Sequence, residues 1–122
     1  MVQVESMLRV GDNCGVRFVK CIHLLGGSMK KNAKACDFVI IAVPFRRKTY
    51  KYITKNIYLG VIITCKKQFR RFNGFYIQMQ YNKVLLLSEQ HNALGTRMRG
   101  PIIQEIRWNG LEHIATIAKA WI

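Results

Sequence analysis

The sequence predicts a mainly β fold: a small barrel of five or six short strands, a basic hairpin projecting from it, and two short helices at the C-terminal end. Three observations carry this. Apolar runs of strand length, separated by Gly, Pro and Asn turn residues, fill the first two thirds of the chain. Asn73-Gly74, between a basic stretch and an alternating one, is a hairpin signal because both residues tolerate positive φ. In the last third the apolar spacing becomes helical.

The elements follow in order. Val16 to Leu25 is apolar with polar interruptions, Arg17 among them, and Gly26-Gly27-Ser28 ends it with turn chemistry. Asp37 to Val43 is an apolar run closed by Pro44, and Ile57 to Cys65 is another, rich in β-branched residues. Phe75 to Tyr81 alternates, and Val84 to Leu87 is short and apolar. Pro101 suits a first helical turn, where its missing N–H is no loss, so a helix is expected to start there and carry Ile102, Ile103 and Ile106. Asn109-Gly110 breaks it. Leu111, Ile114, Ala115, Ile117 and Ala118 then recur at the spacing of a second helix. With 122 residues the chain fits one domain, the barrel over about 1–95 and the loop and helices over about 96–122.

Charge points to the partner. Twenty Lys and Arg face six Asp and Glu, a formal net charge of +14. Self-repulsion of that size destabilises a lone folded chain, whereas a polyanion relieves it and gains from released counterions. Nucleic acid is the first candidate and an anionic membrane surface the second. No apolar run approaches the ~20 residues of a membrane span. The N-terminal residues lack a charged stretch followed by an apolar core, so neither a secretory signal nor an Arg-rich transit peptide is expected.

The cations are clustered. Lys30, Lys31 and Lys34 follow the Gly26-Gly27 turn; Arg46, Arg47, Lys48, Lys51 and Lys55 follow Pro44; Lys66, Lys67, Arg70 and Arg71 precede Asn73-Gly74. Aromatics lie among them, Phe45, Tyr50, Tyr52, Phe69 and Phe72. Lysine and arginine in loops can follow a phosphate backbone, and nearby rings can stack on unpaired bases. Arg17, Lys30, Lys31, Arg46, Arg47, Lys48, Lys51, Lys66, Lys67, Arg70 and Arg71 are therefore the candidate RNA-binding residues.

Catalytic and metal chemistry find no such support. Cys14, Cys21, Cys36 and Cys65 form no C-x-x-C pair, so no zinc site and no other metal or cofactor is expected. They read as free thiols in a reducing compartment, with Cys21, Cys36 and Cys65, which sit inside apolar stretches, packed like small hydrophobes. His23, His91 and His113 are scattered, as are the carboxylates, and Ser6, Ser28 and Ser88 lack any triad context. The chain does not read as an enzyme.

Several segments together carry a resemblance. Asp12-Asn13-Cys14-Gly15-Val16 resembles the Asp-Asn-Ser-Gly-Ala turn of the universal large-subunit ribosomal protein fourteen family, and Cys21 to Ser28 is similar to that family's next strand and turn. Gly60-Val61-Ile62-Ile63 begins the family signature, with Asn73-Gly74 and Asn82 at the expected offsets. Gly95-Thr96-Arg97-Met98-Arg99-Gly100-Pro101 closely resembles its Gly-Thr-Arg-x-x-Gly-Pro segment, followed by matching Glu105 and Arg107. Met79 and Leu85 are volume-tolerant departures, Arg99 replaces a usually apolar residue, and Phe45 to Lys55 departs most, being aromatic and basic.

The resemblance implies a five-stranded β-barrel with short C-terminal helices and a structural role in the large ribosomal subunit. The implied partners are large-subunit rRNA, neighbouring large-subunit proteins and, through inter-subunit bridges, small-subunit rRNA. Thr96, Arg97 and Arg99 would then face the other subunit and offer a docking surface for a silencing or anti-association factor. The alternative function is a free OB-type nucleic-acid-binding protein or RNA chaperone. Richness in Lys, Ile, Asn, Tyr and Phe, as AT-rich coding produces, suits a mitochondrial ribosome, with a plastid or the bacterial cytoplasm as alternatives.

Overall fold

The apolar runs form strands because each buries at least one face. A computed structural model describes residues 1–44 and 53–122. Its strands are β1 Met7–Val10, β2 Phe18–Leu24, β3 Phe38–Ala42, β4 Ile57–Thr64, β5 Phe69–Arg70, β6 Tyr76–Ile77 and β7 Lys83–Leu87, and its helices are α1 Glu105–Trp108 and α2 Glu112–Ala115. Five strands close a barrel in the order β1-β2-β3-β4-β7, and β5 pairs with β6 in a separate two-stranded ribbon. Neighbours in the barrel are antiparallel except at the seam. There β1 lies parallel to β7, with Arg9 beside Lys83 and Val10 beside Val84.

The mainly β fold, the five-stranded barrel and the two short C-terminal helices agree with the expectation, and three details differ. Strand β1 had no signal in the sequence, because four residues burying only Leu8 give no period to detect. It nonetheless supplies the seam that removes two open strand edges. The expected strand from Phe75 to Tyr81 shrinks to Tyr76–Ile77 and lies outside the barrel. Beyond it, single bonds replace a ladder: the Met79 N–H donates to the Cys65 carbonyl at 3.2 Å, and the Lys66 N–H to Asn82 Oδ1 at 2.7 Å. Pro101 does not start a helix. The C-terminal tail instead pairs with residues 102–104, the N–H groups of Ile102 and Gln104 donating to the carbonyls of Ala120 and Ile122, each at 3.1 Å. In a helix's first turn those N–H groups would lack partners, so the tail delays α1 to Glu105.

Asn109-Gly110 ends α1 as expected. Gly110 takes φ +81, and the N–H groups of Gly110 and Leu111 donate to the carbonyls of Arg107 and Ile106. That pair of bonds is a Schellman motif, which satisfies carbonyls that the last turn leaves open.

The core has two parts divided by one wall. Leu8, Val19, Cys21, Val39, Ile41, Ile62, Val84 and Leu86 fill the barrel interior. Val61, Ile63, Leu85 and Leu87, on the opposite faces of β4 and β7, pack outward with Met98, Ile102, Ile103, Ile106 and Ile114. These two strands therefore read as continuous apolar runs, as strands covered on both faces do. Ile62→Ala leaves a cavity in the barrel interior and is expected to cost about 2–5 kcal/mol, whereas Ile57→Ala, on an exposed residue of the same strand, should stay within roughly 0.5 kcal/mol. Denaturant unfolding of both variants checks this; equal losses would contradict the assignment of Ile62 to a closed interior.

Candidate nucleic-acid interface

Residues 95–100 form an exposed step clamped to the turn after β1. Asn13 holds it by four bonds. Its Oδ1 accepts from the N–H groups of Thr96 (2.9 Å) and Arg97 (3.2 Å), its Nδ2 donates to Thr96 Oγ1 (3.0 Å), and its own N–H donates to the Arg97 carbonyl (3.2 Å). The Arg99 N–H adds a bond to the Gly11 carbonyl at 2.7 Å, and Lys83 Nζ donates to the Arg99 carbonyl at 3.2 Å. Met98 is buried beneath the step, while Thr96, Arg97 and Arg99 are exposed. The backbone is thus fixed, the exposed Thr96 hydroxyl is tied to Asn13, and the Arg97 and Arg99 side chains face outward.

Glycines at the two ends of this step serve different ends. Gly100 sits at φ +82. Gly95 is needed for close approach, since a Cβ there would lie 2.6 Å from Asp12 Cβ. The sequence suggests a tight turn at each end; only the second is a left-handed residue.

Asp12 supports the clamp from below and is 3 % exposed. The Cys14 N–H donates to its Oδ1 at 3.2 Å, whereas Oδ2 is buried with no hydrogen-bond partner. Burial pushes its carboxyl above the ordinary aspartate range, only partly offset by hydrogen bonds from Cys14 and the Gly95 backbone. Burial, followed by the charge of Asp12, pushes the Cys14 thiol up to about 12, so it is a neutral thiol at ordinary pH.

The basic clusters divide when placed in space. Arg17, Lys31, Lys66, Lys67 and Arg70 are exposed, and none joins an ion pair among the described residues. Lys30 is drawn to Asp37 at 2.8 Å. Arg46, Arg47, Lys48 and Lys51 lie outside the described residues. Lys55 pairs with Glu89.

Arg71 turns inward: its side chain is 15 % exposed, its Nε lies 2.6 Å from Glu105 Oε1, and its guanidinium also reaches Glu105 Oε2 at 3.2 Å and the Ile122 carbonyl. It ties the hairpin to α1 and to the tail, leaving Lys66, Lys67 and Arg70 as the hairpin's outward cations.

The hairpin tip is a three-residue loop. The Gly74 N–H donates to the Arg71 carbonyl, the Arg71 N–H to the Phe75 carbonyl, and Gly74 alone takes positive φ, at +88. This is a type I turn closed by a left-handed glycine, not the turn in which both Asn73 and Gly74 would be left-handed. Phe72, Phe75 and Tyr76 stand exposed around it.

Arg9 is a candidate that the sequence did not reveal. Its guanidinium lies 3.5 Å from the Tyr81 ring centroid and 5.9 Å from that of Phe18, a cation–π arrangement. The only signal was its pairing with Phe18 across β1 and β2, invisible without β1. Among the described residues no cluster of His, Cys, Asp and Glu could hold a metal ion, and no helix is long and apolar enough to cross a membrane.

The chain matches a known family model along its whole length: residues 1–122 align with that described as ribosomal protein L14p/L23e.

Asp12 gives a pH test. Its folded-state pKa is raised, so both folded and unfolded chains are protonated below the ordinary aspartate value and no penalty exists there. As pH rises from that value through the raised one, the unfolded chain ionises first and the folded state loses stability. The stability of Asp12→Asn relative to the parent chain should therefore rise with pH across that window and level off above it. Unfolding free energies measured from acid to neutral pH check this; a relative stability that falls with pH would mean that the carboxylate has a favourable partner.

Proposed function

Because the chain belongs to the ribosomal protein L14p/L23e family, a family of structural, non-catalytic large-subunit proteins, we propose that it binds large-subunit rRNA through its basic loops and presents the step at residues 95–100 to the small subunit. The observation that carries the rRNA reading is the set of cations left without carboxylates. Arg17, Lys31, Lys66, Lys67 and Arg70 are exposed and outside the three ion pairs found among the described residues. A phosphate backbone supplies the missing anions, and each neutralised phosphate releases counterions. Arg46, Arg47, Lys48 and Lys51 belong to the same proposal on sequence grounds.

The step supports the second half of the proposal. Arg97 offers a planar fork to phosphate or carboxylate, and its backbone is held by Asn13 rather than by the partner. Ordering costs for that backbone are already met within the fold, which favours recognition. The partners proposed are large-subunit rRNA and neighbouring proteins, small-subunit rRNA through bridges, and a silencing or anti-association factor docking on Thr96, Arg97 and Arg99. The compartment proposed, from the AT-rich residue usage, is the mitochondrion.

Three experiments test this. In a sucrose gradient at high salt the chain should sediment with large subunits. Recovery only in the light fractions would reject the reading in favour of a free OB-type binder. Neutralising Lys66, Lys67 and Arg70 together should weaken binding to an rRNA fragment and flatten its salt dependence by roughly 0.7–0.9 for each phosphate no longer neutralised, about two to three in all; an unchanged slope would remove the hairpin from the interface. Arg97→Glu should leave the fold and large-subunit incorporation intact while lowering the fraction of joined ribosomes or the capture of a docking factor. Normal joining together with normal capture would leave the step as structure only.

A further inference from the structure

A cleft of ≈ 440 Å³ opens between the end of the barrel, the hairpin and α1. It is in the size class of small-ligand clefts, roughly 300–1,000 Å³. Its inner wall is apolar: Cys65 and Ile103 are buried, and Cys36 and Phe69 are partly so. Its outer edge carries three exposed cations, Lys34, Lys67 and Arg70, none of them in an ion pair among the described residues. Glu105 also lines it, but Arg71 neutralises that carboxylate at 2.6 Å. Burial pushes the Cys36 thiol up to about 11, so that wall is uncharged at neutral pH. An apolar floor inside a ring of uncompensated cations asks for a flat, weakly polar body joined to anions.

Two further features narrow the occupant. Phe72 stands at the mouth with 108 % exposure, so its ring face is wholly available for stacking. Asn109, also lining the cleft, hydrogen-bonds the Cys36 thiol with its side-chain amide, and the amide's remaining N–H and carbonyl oxygen can meet the edge of a heterocycle. Aromatic surface, an amide and flanking cations are the elements with which proteins hold an unstacked base and its phosphates.

We propose that this cleft receives one unpaired nucleotide of the bound RNA strand, its base packed between the apolar floor and Phe72 and its flanking phosphates on Lys34, Lys67 and Arg70. The proposal rests on the rRNA-binding reading and specifies one subsite of it. A free mononucleotide would supply the same base but lacks the neighbouring phosphates that three spaced cations can engage.

The test uses the full chain and three probes: an oligoadenylate RNA of about six nucleotides, an abasic strand with the same number of phosphates, and AMP. The oligoadenylate should bind about tenfold tighter than the abasic strand, as expected when base–aromatic stacking is worth roughly 1–3 kcal/mol. The Ile103 methyl resonances should shift only with the base-bearing strand. Phe72→Ala should erase the preference without changing Tm, because the ring is fully exposed. Equal, salt-dependent binding of the base-bearing and abasic strands would overturn the cleft and leave the rRNA reading standing. AMP binding as tightly as the oligoadenylate would overturn it in favour of a free nucleotide site, and failure of both strands to bind would overturn the cleft, while the rRNA reading stands or falls separately on sedimentation with large subunits.

Discussion

Strands β4 and β7 are buried on both faces, and the remaining architecture is arranged around that wall. Ile62, Val84 and Leu86 close the barrel interior on one side, while Val61, Ile63, Leu85 and Leu87 face the C-terminal segment on the other. The C-terminal third needs this second face. Helices α1 and α2 have four residues each, far below the length at which an isolated helix is stable in water. They persist because Ile106 and Ile114 are buried against the wall. Disrupting the wall would release both cores together.

The functional surfaces inherit their rigidity from the same place. The seam sets β1 beside β7, which brings the turn at residues 11–15 next to Lys83 and the step at 95–100. Asn13 then fixes the step's backbone, and the buried Met98 anchors it to the outer core. The hairpin depends on α1 in a comparable way, through Arg71 and Glu105. A single exposed ion pair contributes little. This one is largely screened from solvent, uses two guanidinium nitrogens and also reaches the tail, so it fixes where the hairpin's outward cations stand.

A net charge of +14 has a structural counterpart in the three ion pairs among the described residues. Four of the six carboxylates are committed within the fold: Asp37 holds Lys30, Glu89 holds Lys55, Glu105 holds Arg71, and Asp12 is buried under the clamp, so only Glu5 and Glu112 stand exposed outside the ion pairs among the described residues. Little anionic charge is left to neutralise the outward loops. The folded chain is therefore expected to gain stability on meeting a polyanion, by ordinary linkage of binding to folding.

The barrel and its class were determined by the sequence itself. Strand-length apolar runs cannot stay hydrated, and Gly26-Gly27, Pro44 and Asn73-Gly74 leave few ways to join them. The apolar runs Ile57 to Cys65 and Val84 to Leu87 were legible as strands, but not their burial on both faces, since Asp37 to Val43 reads as apolar as they do and fully buries only alternate residues of its strand. The cation clusters and the Gly95-to-Pro101 segment were legible as surfaces for the same local reason. Tertiary structure decided the rest. Strand β1 exists because β2 and β7 offer it edges, and Arg9 meets Tyr81 only through that pairing. Ile102 and Ile103 stay outside the helix because the tail pairs with the backbone of residues 102–104, overriding a local preference of Pro101 for a helix start. Lys30 and Arg71 are indistinguishable in sequence from the free cations beside them; contacts with Asp37 and, 34 residues away, Glu105 set them apart. Local chemistry specifies which segments are strands, turns and charged loops, while long-range pairing alone determines which side chains remain free to bind.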